Sequence, residues 1–501
     1  MKRLHKRGLL AALLFWPWVV SAIPEGAEYP SAAWTARELA NYARTLEGPT
    51  EQVTNPVFVL RLEAQSAANL LQWLQRGVRD PSWINPLTGN TAVLPLCATW
   101  AEQCAGDPFR YPGVDPFYDE VGEVTPVVFY DAGCARLSGR VWKPRGAHGP
   151  LPGVVIETGS IQAPETLYWW MAQALVRQGY AVMTFDVRGQ GRSDLQTPDF
   201  QQGSNFNSTV FWDGLVNVID FFRSTPVAPY PHNLSCAGTR PTEVAAFNPD
   251  HAVLDRERLG IVGHSLGASG VSRVQGYGAP GAEPWPGLLD AQNPVDVAVA
   301  WDSLSAGDGI VPRVPAMGHT SEYGIAGLAF ARPPEPEAHK DAYAKWVEAG
   351  LPVYQLTIQG STHFEWSLIP TFPSSSWCPD TAGGQCNGGW GRPMAEHYSV
   401  AWLDRWLKRP GEPGHADADT RLLADADWLE RYSFYFRSAR HFPTRSGAVA
   451  VCEDIRAGCA PVVTAGNAAA GGDSGGGAPS APLLVLLLLA GAWRRFQVRG
   501  R

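Results

Sequence analysis

The chain has no apolar run as long as the roughly 20 residues that a membrane-spanning helix needs. Its two apolar blocks, at 8–20 and 482–493, are both shorter. It has no Cys-x2-Cys and no His-x3-His pair, which removes the usual spacings of zinc ligands, so no metal site is expected. It also lacks a basic surplus, with 40 Lys and Arg against 48 Asp and Glu. Eight of the bases (Lys2, Arg3, Lys6, Arg7, Arg494, Arg495, Arg499 and Arg501) lie in terminal segments without acids. The remaining body carries 32 bases against 48 acids, a charge near −16 that does not suit nucleic acid. With 45% hydrophobic residues over 501 positions, disorder is excluded as the general state, and one large core or two ordinary ones can be buried.

The short apolar blocks fit targeting. Residues 1–22 combine four bases, the first apolar run and the small-residue end Val20-Ser21-Ala22, the layout of a secretory signal peptide. Residues 465–480 are a Gly/Ala/Ser-rich linker, and 481–501 hold the second apolar block and an arginine cluster. This ending resembles the GlyGly-CTERM sorting signals of exported bacterial proteins, whose tails are cut by a dedicated intramembrane protease. The resemblance implies an extracellular or cell-surface protein. Its partners would be the export machinery and a C-terminal sorting protease, with transient membrane association through the tail; a plain membrane tether is the alternative. All eight cysteines lie beyond residue 22, and an even count in an exported chain suggests disulfides. Cys97 with Cys104, Cys378 with Cys386, and Cys452 with Cys459 would close small loops, leaving Cys134 and Cys236 to tie distant segments together.

The hydrophobic pattern is helical over 31–46 and 57–78, and a Pro/Gly-rich stretch follows over 81–116. Together they make residues 23–116 a helical, disulfide-containing N-terminal extension. Strands are then expected at 124–130, 135–142, 153–156, 180–185, 259–262, 295–301, 314–317 and 353–358, with helices at 167–178, 210–223, 341–348 and 397–408. That alternation predicts an α/β domain over 117–445, a mostly parallel doubly wound sheet with helices on both faces. Residues 446–480 are left as a disulfide loop and linker. The insert at 226–256 is a candidate cover for a cleft.

Gly263-His264-Ser265-Leu266-Gly267 stands where the strand at 259–262 turns into a helix. In this G-x-S-x-G spelling the serine occupies a strained turn that exposes its hydroxyl, and the glycines let neighbouring backbone pass close by. A second match, Gly472-Asp473-Ser474-Gly475-Gly476, lies in the linker with no sheet around it, so Ser474 is set aside. A serine hydroxyl is a weak nucleophile, so Ser265 needs a histidine base and a carboxylate to orient it. His363 lies on the loop after the strand at 353–358. Glu322, beyond the strand at 314–317, is the first choice of acid, and Asp302, ending the strand at 295–301, is its rival. Two backbone N–H groups must face a developing oxyanion; those of Leu266 and of Ser160, in Glu157-Thr158-Gly159-Ser160-Ile161, are the candidates. Ile161, Trp169, Trp212 and Trp366 lie near these loops and are candidates to line an apolar pocket.

Four stretches carry a family resemblance: Thr158-Gly159-Ser160, the run 186–193 from Asp186 to Ser193, the pentapeptide at Ser265, and the helix 398–407. Together they resemble secreted bacterial α/β-hydrolases, serine esterases and lipases among them. The resemblance implies the α/β-hydrolase fold, an ester substrate, no cofactor, and a mainly structural loop at 188–193. A serine peptidase or acyltransferase on the same fold, or a non-catalytic surface-binding protein that keeps it, are the competing readings.

Overall fold

In a computed structural model the described residues are 26–36, 39, 56–84, 117–160, 163–203, 206–324, 333–367 and 390–462. The signal segment, the linker and tail, Ile161, and Cys97, Cys104, Cys378 and Cys386 lie outside them.

Successive side chains of a strand point to opposite faces, and the central strands here are apolar almost throughout. Within Val297–Trp301, Val297, Val299 and Trp301 enter one core while Ala298 and Ala300 enter another. The same split separates Val154 and Ile156 from Val155, and Val262 from Ile261. Strands buried on both faces need a helical layer on each side. Helices α2 (Trp169–Arg177) and α6 (Gly391–Leu407) cover the first face. Helices α3 (Ser208–Arg223), α4 (Leu266–Val274) and α5 (Asp341–Glu348) cover the second. The Asn207 side chain caps α3 by accepting the Thr209 N–H at 3.1 Å.

The described residues form ten strands: β1 (Gly122–Tyr130), β2 (Arg136–Pro144), β3 (Leu151–Glu157), β4 (Ala181–Asp186), β5 (Leu254–His264), β6 (Val297–Trp301), β7 (Ala316–Ser321), β8 (Val353–Ile358), β9 (Ala439–Pro443) and β10 (Val449–Cys452). They form one sheet in the order β1-β2-β4-β3-β5-β6-β7-β8-β9-β10. The six central strands, β4 to β8, run parallel, and the sheet is mixed because β1-β2 and β9-β10 pair antiparallel at its ends. The chain crosses from β3 to β4 on one side and then to β5 on the other, so the strand order reverses at the β3/β5 boundary. A reversal of this kind opens a crevice at the carboxyl ends of the two strands, the usual ligand position in such sheets.

The antiparallel ends follow from their connections, because only antiparallel strands can be joined by turns as short as 131–135 and 444–448. Hairpin β9–β10 spans residue 445, so the break expected there falls inside the sheet.

Among the described residues two disulfides are formed. Cys452–Cys459 closes a short loop, and Cys134–Cys236 joins residues 102 apart. In the chain-entropy model the longer loop stabilises by about 4–5 kcal/mol. Such usage belongs to chains that fold in an oxidising compartment. The second bridge also anchors the 226–256 insert: Asn233 accepts the Tyr130 N–H at 2.8 Å and the Tyr230 hydroxyl donates to the Tyr130 carbonyl at 2.9 Å. The insert therefore docks on β1, four strands from β5, instead of covering the crevice.

Helix α1 (Pro56–Arg79) meets the body at its C-terminal end. There Trp83 lies between the Arg76 and Arg136 guanidinium groups, at 4.0 and 3.6 Å from the ring centre. Leu70, Leu71 and Leu74, which help give the sequence over 57–78 its apolar face, are exposed. Among the described residues no helix is long and apolar enough to cross a membrane, and no cluster of three His, Cys, Asp or Glu is placed to hold a metal.

Candidate active site

Parallel pairing aligns the ends of β3, β5 and β6: Glu157 faces Gly263, which faces Ala300. The segments that follow therefore leave the sheet side by side. Ser265 caps α4 with φ 59° and ψ −121°, a conformation that L residues rarely adopt. The turn is held because the Ser265 N–H donates to the Trp301 carbonyl at 3.0 Å. Glycine permits the tightness: a Cβ on Gly263 would stand 2.4 Å from the Gly267 carbonyl oxygen, and one on Gly267 would stand 2.4 Å from that of Thr158.

The Ser265 hydroxyl lies 2.9 Å from His363 Nε2, and His363 Nδ1 lies 2.5 Å from Asp302 Oδ2. Ser265 and His363 are half-buried, so the Ser265 edge of the site is open to solvent, while the Asp302 carboxylate is nearly enclosed. Burial opposes ionisation of Asp302. The His363 hydrogen bond and charge, with the Ser321 N–H, outweigh it and hold the carboxyl below the usual range. Like Ser265, Asp302 has a positive φ, 47°. Among the described residues, two of the four non-glycine residues with positive φ thus sit in this one constellation.

Glu322, the first choice of acid from the sequence, does not meet His363. Its Oε2 accepts the Gly360 N–H at 2.7 Å and its Oε1 accepts the Ser433 hydroxyl at 2.6 Å. Glu322 follows the end of β7, and its carboxylate turns toward β8 and the segment at Ser433, so it braces the base of the loop that carries His363. Two further bonds fasten that loop: the His363 N–H donates to the Gly324 carbonyl at 2.8 Å, and the Tyr323 N–H donates to that of Ser361 at 3.1 Å. The rival, Asp302, is the carboxylate brought to the histidine. Sequence reasoning missed Ser321, whose N–H and hydroxyl reach Asp302 Oδ1 at 2.8 and 2.9 Å. A serine ending a strand carries no signal for that role.

The Thr158–Ser160 loop passes directly beside Ser265, since a Cβ on Gly159 would stand 3.3 Å from Ser265 Cβ. The Gly159 N–H is taken by the Tyr168 hydroxyl at 3.1 Å. Ser160 follows on the half-buried rim. Leu266 is the first residue of α4, so its N–H belongs to the helix's opening turn, where no intrahelical acceptor exists.

The aromatic candidates separate. Trp212 is half-buried beside α4, its Nε1–H reaching the Ser269 hydroxyl at 3.4 Å. Trp169 and Trp366, expected as pocket walls, are core residues instead. Trp169 packs on Trp142 and Arg140, and Trp366 donates to His319 Nδ1 at 3.2 Å beneath the site. Large rings gain most from full burial, and the packed helical layers enclose both. In the 188–193 loop, the Arg192 guanidinium is paired with Glu165 and Asp186, all three buried, and the Ser193 hydroxyl accepts the Ser138 N–H at 2.9 Å.

Glu157, at the end of β3, is fully buried, and neither carboxyl oxygen has a hydrogen-bond partner among the described residues. Desolvation raises its pKa well above the ordinary value. The unfolded chain then loses this proton at a lower pH than the folded one. Stability accordingly falls as pH rises above about 4.3, the ordinary glutamate value. Glu157→Gln is expected to gain melting temperature relative to the parent as pH is raised from 4 to 8. A difference that stays constant over that range would show an ordinary, ionised Glu157.

Comparison with known protein families and with curated proteins finds no match to this chain.

Proposed function

We propose that the protein is an exported serine hydrolase of the α/β-hydrolase kind, acting on carboxylic esters through an acyl-enzyme. The observation that carries this reading is the continuous contact Ser265–His363–Asp302 at 2.9 and 2.5 Å, built on a strained strand-to-helix turn where the strand order reverses. The ordering of parts along the chain, the loop at Ser160 and the two disulfides support it.

In the reaction, His363 Nε2 takes the hydroxyl proton as Ser265 Oγ attacks the ester carbonyl. Asp302 holds the ring with Nδ1–H toward itself and stabilises the imidazolium that forms. The N–H groups of Ser160 and Leu266 receive the charge on the carbonyl oxygen. His363 then gives its proton to the leaving alcohol, and water, deprotonated by the same nitrogen, releases the acid. Every group in this sequence of steps is supplied by the chain. Export would follow from the segment at 1–22 and the tail at 481–501.

Reaction with a fluorophosphonate probe tests the reading. The parent is expected to be labelled and to turn over short p-nitrophenyl esters faster than peptide anilides, with no labelling of Ser265→Ala. Equal labelling of the variant would sink the proposal. Preference for anilides would move the assignment to a peptidase, and a parent that is neither labelled nor active would favour a binding protein.

A further inference from the structure

His264, between the elbow glycine and Ser265, takes no part in the steps above, yet it is enclosed and bonded at both ring nitrogens. The Tyr168 hydroxyl lies 2.8 Å from Nδ1, and the His363 carbonyl oxygen lies 2.8 Å from Nε2. The Gly159 N–H points at the same Tyr168 oxygen, at 3.1 Å.

The donor inventory leaves one arrangement. Gly159 N–H can only donate, so the Tyr168 oxygen accepts there and sends its single proton to His264 Nδ1. The other nitrogen must then carry the imidazole proton, and it donates to the His363 carbonyl, which can only accept. Burial agrees with a neutral ring: desolvation, with the neighbouring His363, pushes the His264 pKa down to about 3. Burial likewise raises the Tyr168 pKa, which keeps its hydroxyl protonated. The ring is further fixed between the His363 imidazole, 4.7 Å away centre to centre, and Trp366, 6.1 Å away.

The two ends of this chain of bonds are parts of the site. Gly159 immediately precedes the N–H assigned to the oxyanion, and the carbonyl at the other end belongs to the residue assigned as base. Between them the bonds tie the connections after β3 and β8 to the last residue of β5.

We propose that Tyr168 and His264 form a positioning relay, which holds the loop carrying the Ser160 N–H in register with the backbone of His363. Its kinetic consequence rests on the hydrolase reading, while its hydrogen-bond order does not. Because the relay sets geometry and touches no substrate, its loss is expected to lower kcat and leave KM little changed. Displacement of such supports by fractions of an ångström is costly.

The test uses the full chain and reads both kinetics and the ring itself. Tyr168→Phe keeps the packing and removes one oxygen; kcat is expected to fall about tenfold, as for the loss of one buried hydrogen bond. His264→Ala is expected to lose on the order of 10²-fold. His264→Gln retains an amide N–H for the His363 carbonyl and is expected to recover part of that loss. A purely space-filling role would give no such rescue. In nitrogen-15 histidine spectra at neutral pH, His264 is expected as a single tautomer protonated at Nε2 in both proteins, and Tyr168→Phe is expected to move its Nδ1 resonance toward that of an imidazole nitrogen that accepts no hydrogen bond.

A parent His264 protonated at Nδ1, or an unchanged kcat together with an unmoved Nδ1 resonance in Tyr168→Phe, would overturn the relay. If the parent itself hydrolyses no ester, the hydrolase reading falls. The nitrogen-15 spectrum then decides the relay alone, an Nε2–H ring whose Nδ1 resonance moves in Tyr168→Phe supporting it and an Nδ1–H ring or an unmoved Nδ1 resonance overturning it.

Discussion

Asp302→Asn is expected to lower kcat for a short ester by about 10⁴-fold with little change in KM. The amide would keep the shape of the carboxylate and the bonds from Ser321. It would not provide the charge that stabilises an imidazolium, and its NH₂ would favour the His363 tautomer with a bare Nδ1, leaving a proton on Nε2 where the base must be free. Glu322→Gln is the matched control. Glu322 accepts from both Gly360 and Ser433, 2.7 and 2.6 Å away, so an amide nitrogen would face a donor in one of the two places. A loss of about 1–3 kcal/mol of stability is expected, with kcat within a few-fold of the parent at temperatures where the variant is folded. Steady-state kinetics beside thermal melts check the pair. A larger kcat loss at Glu322 than at Asp302 would return the acid to Glu322 and break the constellation described above.

Ser265→Ala and His363→Ala are each expected to lower kcat on the order of 10⁴- to 10⁶-fold, and the double variant no further. The two side chains act as one unit at 2.9 Å, since an unassisted hydroxyl is a poor nucleophile and an imidazole with no hydroxyl to deprotonate contributes little. Additive losses would mean that the residues work independently, which the single hydrogen bond between them does not allow. Residual turnover is expected from the Ser160 and Leu266 N–H groups proposed to receive the oxyanion, since none of these substitutions removes them.

Much of the frame was readable along the chain. The strand and helix at 353–358 and 341–348 occur where the pattern placed them, and the central strands fall within a few residues of expectation. Their signal is local: runs of apolar residues of strand length separated by amphipathic helices. Hairpin β9–β10 was not foreseen because its second strand is four residues long and only alternately buried, which leaves little periodicity to detect. The exposure of the α1 leucines and the choice between pocket and core for Trp169 and Trp366 were not legible, for a shared reason. Periodicity says that a face is apolar, but it does not say what that face meets.

By itself the sequence determined the alternating α/β pattern, the elbow at Ser265 and the position of His363 on a loop after a late strand, because each depends on residue types at short fixed spacings. The tertiary structure alone decided which carboxylate reaches His363. Asp302 and Glu322 both lie at or just past strand ends and look equivalent in one dimension. Their directions are set by the backbone at φ 47° for Asp302, by Ser321 holding that carboxylate, and by Gly360 and Ser433 claiming the other. It alone also joined Gly159, Tyr168, His264 and His363, because hydrogen bonds depend on distances of about 3 Å between groups up to 204 residues apart in the chain.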